Sequence, residues 1–188
     1  MSSVIANVED TILAAVQSGL PGLLRDTGSL PGSWSIDLLK LLLQRAPAVY
    51  VAFNGGDLES STLTLLNARF DVYAVVKEPT DFTRRRGTAT TIGAYEIIEA
   101  VMPLLNGLTI TDCGSLRGKA ITNLFSNVLT DLGGTVYAMQ LLLPRLPIAA
   151  AIDATALAKF EILSIDSSLT VPGADDFSTL INLPQEGA

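Results

Sequence analysis

The chain has no histidine among its 188 residues. That absence removes Ser-His-Asp and Cys-His catalysis, histidine metal ligation and the commonest general base. A single cysteine, Cys113, cannot close a disulfide within the chain or make a thiolate zinc site by itself. The lone thiol fits synthesis in a reducing cytoplasm, and beside Asp112 it is expected to stay protonated and inert. Charge is scarce as well: 16% of residues are charged, against ~25% in an ordinary soluble chain. Cations are the scarcer sign, 12 Lys and Arg against 19 Asp and Glu, for a net charge of −7. A chain so poor in cations is not expected to grip nucleic acid, whose phosphates need clustered positive charge. The N-terminus lacks a basic region followed by an apolar core, so no signal peptide is expected. No apolar run approaches the ~20 residues a spanning helix needs, so no membrane partner is expected.

What the chain does have is apolar surface. It is 48% hydrophobic, with a mean hydropathy of +0.42. An apolar chain without a membrane span tends to hide surface in a subunit interface. The length suits one sizeable domain, or a domain with an arm.

Ala46–Gly56 anchors the reading. Val49, Val51 and Phe53 fall on one side and Tyr50 and Ala52 on the other, both apolar, as in a strand covered on both faces. Asn54-Gly55-Gly56 is expected to turn the chain. Upstream, Asn7–Ser18 reads as an amphipathic helix capped by Asn7, then an irregular connection with a short extended piece near Leu24. A second helix, capped by Ser33 or Ser35, runs to about Arg45, with Trp34 as a staple on its first turn. Downstream, Thr62–Lys77 reads as a long strand with a bulge near Asn67-Ala68, antiparallel to the anchor. Pro79–Thr91 is expected as a polar loop. A helix from Ile92 to Leu105 follows, capped by Thr90 or Thr91, with Pro103 breaking its last turn. Leu108–Ile110 reads as a short strand and Asp112–Lys119 as loop. Ile121–Thr130 and Val136–Leu143 are expected as a hairpin, stopped by Pro144. An alanine-rich stretch and a last strand, Leu157–Asp166, complete the domain. The expected class is α+β: a mostly antiparallel sheet with helices packed on it, residues 1–166, followed by a C-terminal arm, residues 167–188.

The search for chemistry finds little. Asp175-Asp176 lacks the further oxygens a hard cation needs, and no other metal site is expected. Gly55-Gly56 is not followed by a Lys-Ser/Thr helix, so it makes no phosphate cradle. Asp10, Asp37, Glu96 and Glu99 read as helix-surface carboxylates that nothing pairs as acid and base. No cofactor and no enzymatic activity are expected. Arg84-Arg85-Arg86 is the one basic cluster. Three adjacent cations repel one another unless an anion is near, which makes Arg84, Arg85 and Arg86 candidates for contact with a neighbouring subunit or partner; a solvated loop is the plain alternative.

Several segments resemble a Mu-like phage tail protein family. They are Val8–Leu13, Leu38–Lys40 with Arg45–Phe53, Arg85–Gly87 leading to Gly93–Val101, and Gly134–Met139. The resemblance implies a virion protein similar to phage tail terminators. Such a protein would form a six-membered homo-oligomeric ring at the head-proximal end of the tail tube and join it to the neck. It would be made in the host cytoplasm and end in the tail of the virion. Its implied partners are further copies of itself, the tail tube protein and a neck or connector protein, with DNA passing through the lumen ungripped. A cyclic ring uses two unlike patches on each subunit, which suits a chain with apolar surface to hide. Two other readings stay open: another neck, tail-completion or minor tail protein, and a small-molecule-binding domain with a deep polar pocket.

Overall fold

The computed structural model describes residues 3–31, 35–59, 64–124 and 126–148. The alanine-rich stretch, the last strand Leu157–Asp166, the arm 167–188 and Trp34 lie outside the described residues.

The elements run α1 (Val4–Gly19), β1 (Asp26–Ser29), α2 (Ile36–Gln44), β2 (Ala48–Glu59), β3 (Leu65–Lys77), α3 (Asp81–Arg86), α4 (Ala94–Leu105), β4 (Thr109–Ile110), β5 (Gly114–Ser115), β6 (Arg117–Asn123), α5 (Asn127–Asp131) and β7 (Gly134–Pro147). Among the described residues five strands form one sheet in the order β1-β2-β3-β7-β6; β4 and β5 pair separately. Only β1 runs parallel to its neighbour; β2, β3, β7 and β6 are joined antiparallel. The class is α+β with a mostly antiparallel sheet.

Alternation along the strands sends side chains to two faces. On one face Val49, Val51, Phe70, Val72, Met139 and Leu141 meet Val8, Ile12 and Val16 of α1 and Ile97, Val101 and Leu105 of α4. On the other, Ala48, Tyr50, Tyr73, Val75 and Ala138 meet Leu42 and Leu43 of α2 and Leu129 of α5. The double-sided strand pattern of Val49–Phe53 therefore corresponds to helices above and below.

Several local expectations are corrected. Asn54-Gly55-Gly56 does not end β2; the register shifts between Phe53 and Gly56, and Gly55 takes a positive φ of 74°. The glycines serve a bulge, and the strand continues to Glu59. A Cβ on Gly56 would collide with the Asn67 carbonyl. Near Asn67 the expected irregularity is present, between Leu66 and Ala68, but the extra residue sits on β7. There Arg145 adopts φ 57° and its N–H donates to Asn67 Oδ1 at 3.1 Å. Pro144 does not stop β7. The last β6 partner is Arg117 opposite Leu142, so beyond it β7 has one neighbour among the described sheet's strands, and proline's missing donor costs no bond of that ladder. Pro103 likewise stays inside α4, near its end.

Sequence patterning also misplaced two short helices and three strands. Thr80 caps α3 by accepting from Thr83 N, inside what reads as loop. Ser126 caps α5 by accepting from Leu129 N, inside what reads as strand. β1 lies in the stretch expected to be irregular, and β5 and the first residues of β6 lie in the expected loop Asp112–Lys119. Helix α1 begins at Val4 rather than at Asn7. Glu9 instead ties the helix to the sheet, accepting from Phe53 N at 3.0 Å and Ser29 Oγ at 2.9 Å.

Candidate functional site

The basic cluster lies on α3, a single short helix between β3 and α4. Asp81 stands in the first turn and the three arginines in the last, the arrangement that complements a helix dipole. The chain then turns at Gly87, which has φ 76°. A Cβ on Gly93 would strike Gly87 N and the backbone of Arg86, so the junction of α3 and α4 closes only around glycine. The Glu96 carboxylate accepts from Gly93 N at 2.8 Å and fixes the start of α4.

This frame sends the three arginines to different tasks. Arg84 is turned inward, its side chain 7% exposed, and donates to the Glu78 carbonyl at 3.1 Å, with Asp81 3.9 Å away. Arg85 pairs with Asp81 at 2.5 Å and donates to Tyr95 Oη at 3.4 Å. Arg86 is exposed and lies over the Phe82 ring, 5.1 Å from its centre, a cation–π contact one helical turn apart. The Nε atoms of both Arg84 and Arg85 are buried without a hydrogen-bond partner.

The Arg85 side faces a pocket of about 380 Å³, whose wall includes Asp81, Arg84, Tyr95, Asn123, Thr130 and Tyr137. A recess of about 30 Å³ adjoins it and reaches Leu129 and Val136. Tyr95 and Tyr137 meet edge to face, with ring centres 5.9 Å apart. The hydrogen bond from Arg85, then that from Tyr137, holds the Tyr95 phenol below its ordinary value. Burial, then the bond to Tyr95, pushes the Tyr137 phenol up to about 12. The pocket thus presents guanidinium and phenol donors around one carboxylate. It has donors for an anionic or polar group, but no nucleophile with a base beside it.

A second feature is apolar. Met102 and Pro103 of α4 and Gly118, Ala120 and Ile121 of β6 line a groove of about 580 Å³. Ile121 is 49% exposed there, on β6, which among the described strands pairs with β7 alone. Among the described residues no three of His, Cys, Asp and Glu gather as a metal site requires, and no helix is long and apolar enough to cross a membrane. Cys113 is buried, and burial, then Asp112, raises its thiol above the ordinary value.

A family model, described as Bacteriophage Mu, Gp37, matches residues 4–144, from the start of α1 into β7. The chain belongs to the Bacteriophage Mu Gp37 family. A relative within reach of this Gp37-family chain is the Mu-like prophage FluMu protein gp37 of Haemophilus influenzae (strain ATCC 51907 / DSM 11121 / KW20 / Rd). It is 30% identical over 139 residues, covering 74% of this chain and 69% of that protein. Among solved structures, a chain of a native gene transfer agent virion superposes with a TM-score of 0.43 and 10% identity, over 78% of this chain and 92% of that one. The span matched to the Gp37 family includes α3, the pocket beside it and the α4–β6 groove.

Proposed function

We propose that this chain is a structural protein of a bacteriophage virion, and that within the virion it is the tail terminator. In this reading six copies form a ring on the head-proximal end of the tail tube. One face of the ring meets the tube protein and the other the neck. DNA passes through the lumen without being held, which the net charge of −7 favours because like charge removes the gain from counterion release. The observation that carries the reading is membership of the Gp37 family over residues 4–144.

The surface suits such a role. A ring needs two unlike patches on each subunit. The subunit offers a cationic pocket beside α3 and an apolar groove along β6, the last strand of the described sheet. Arg85 and Arg86, with part of their side chains outside, are the cluster members placed to meet a neighbour; Arg84 is turned inward onto the Glu78 carbonyl but lines the pocket and keeps an unpaired Nε–H. The stretch 149–188 is proposed to complete the domain to residue 166 and to reach beyond it as an arm across a neighbouring subunit.

Electron microscopy of particles made without this protein tests the reading. A terminator's loss leaves tail tubes that overrun their normal length and lack heads. Tails of normal length without heads would move the assignment to a neck or tail-completion protein. Complete, infectious virions would overturn it.

A further inference from the structure

We infer that the pocket beside α3 is a socket for a carboxylate, and that the carboxylate belongs to a second copy of this chain. The inference rests on the ring reading above and names the chemistry of one of its contacts.

Three observations lead there. First, the donors are in excess. Arg84, Arg85 and Arg86 stand within one helical turn and a single carboxylate, Asp81, pairs with the first two. Secondly, the excess is not absorbed internally. Arg84 is more than nine-tenths buried, lines the pocket, and keeps an Nε–H with no partner; Arg85 Nε is in the same state. A buried guanidinium N–H left unpaired is costly, so such groups in folded proteins meet an acceptor. Thirdly, the space is open, and Tyr95, Tyr137, Asn123 and Thr130, each with a polar group, join the arginines on its wall.

The donor set selects the ligand. Guanidinium groups present forked N–H donors that match a planar carboxylate. Asp81 already sits in the pocket, 2.5 Å from Arg85, so a doubly charged phosphate would face a fixed negative charge. A singly charged carboxylate meets less opposition. The source follows from composition: 19 acidic residues against 12 basic ones make each copy a ready donor of carboxylates, while no other run of three cations exists in the chain. In a ring each subunit would then offer carboxylates to one neighbour and receive one from the other.

Two measurements on the full-length chain test this. In the first, sodium acetate is titrated into the protein and the Tyr95 and Tyr137 ring resonances are followed by NMR, with chloride at equal ionic strength as control. A saturable shift of both rings with acetate alone is expected. It should vanish in Arg85→Gln and in Asn123→Asp, which sets a negative charge at the rim without removing an internal contact. In the second, sedimentation velocity measures self-association. Asn123→Asp is expected to weaken it at least about tenfold at unchanged fold by circular dichroism, and Arg25→Gln, on the exposed connection before β1, to leave it unchanged. Acetate binding without any effect of Asn123→Asp on assembly overturns the second copy as the source. No acetate response overturns the socket. A wild-type chain that stays monomeric at every concentration defeats the ring reading and the second-copy source together, while the acetate titration still decides the pocket's chemistry.

Discussion

The two faces of the central sheet are covered unequally. One face lies under two long helices, α1 and α4, and its core extends from Val49 on β2 to Leu146 near the end of β7. The other lies under two short ones, α2 and α5, and its core ends at Ala52, Tyr73 and Ala138. Past that line the second face turns polar. Asp71, buried, accepts from Tyr73 Oη at 3.2 Å and Asn54 Nδ2 at 3.0 Å, and next come the exposed Arg69, Asp57 and Gln140. Among the described residues one face is covered along its length, and the other is covered over half of it. Deletions should reveal the inequality. Phe70→Ala removes a fully buried ring packed at 5.4 Å against Phe53 and is expected to cost about 3–5 kcal/mol. Leu43→Ala, under the thinner cover, is expected at the lower end of the range for leucine, about 2–3 kcal/mol. Denaturant titration of both variants gives the two values. Equal losses would mean that the faces contribute alike.

The better-covered face is also tied to its helix by a charge. Glu9 accepts the Phe53 N–H opposite the bulge of β2 and the Ser29 hydroxyl at the end of β1. On the other face the charged link lies at the end of α2, where its C-cap Arg45 reaches Asp26 of β1. Glu9→Gln keeps the shape and loses the charge. Its expected cost is about 1–2 kcal/mol, the margin of a charged over a neutral hydrogen bond. Hydrogen exchange should show the Phe53 amide opening faster. A variant as stable as the parent, with Phe53 still protected, would leave apolar packing as the whole of the attachment.

The inequality of the faces was only partly legible in the residues. Apolar alternation on both sides of Val49–Phe53 announced a buried strand, because burial acts on every second side chain and leaves a period. The same rule failed at Ile121–Thr130. Ile121 and Leu129 look alike as letters, yet the first lies on an exposed edge and the second caps the core from α5. Short helices escaped for a related reason. A helix of five or six residues has too few turns to show a period, and only its cap, Thr80 for α3 and Ser126 for α5, betrays it. Proline misled twice, at Pro103 and Pro144, since its cost depends on whether a partner for its N–H would have existed. At the candidate site the three arginines were visible as a run, but their division was not. Tyr95 and Tyr137, which line the pocket with them, come from elements far apart in the chain, and no local signal pairs them.

The thinner face has its own polar fastening, at the β1 edge. Tyr50 Oη donates to Asp26 Oδ2 at 2.9 Å, and Arg45 reaches the same oxygen at 3.1 Å. Burial alone would raise the Asp26 carboxyl, but these bonds and the Arg45 charge outweigh it and hold it below 3.8. A carboxyl lowered on folding contributes stability above its unfolded value and loses it as pH falls through the folded one. Tyr50→Phe is therefore expected to cost about 1 kcal/mol at neutral pH. The gap between parent and variant should narrow as pH drops below 3.8. Paired urea titrations from pH 7 to pH 2 measure it; a gap that stays constant would show that the Tyr50 hydroxyl contributes independently of the Asp26 charge, and no gap at any pH that Tyr50 acts by packing alone.

The smallest effect is expected where no described helix covers the second face. Arg69 and Asp57 pair across β2 and β3 at 3.3 Å, with both side chains more than half exposed. Water screens the attraction, and ordering two long side chains opposes it, so exposed pairs of this kind contribute little. Arg69→Met should change the stability of the dilute, unassembled chain by less than about 0.5 kcal/mol. The same change places a flat apolar side chain in the open half of the sheet, beside Leu142 on β7. If that half is simply solvated, self-association measured by sedimentation should be unaltered as well. If assembly shifts while the stability of the lone subunit does not, the half of this face that no described helix covers is a second contact surface.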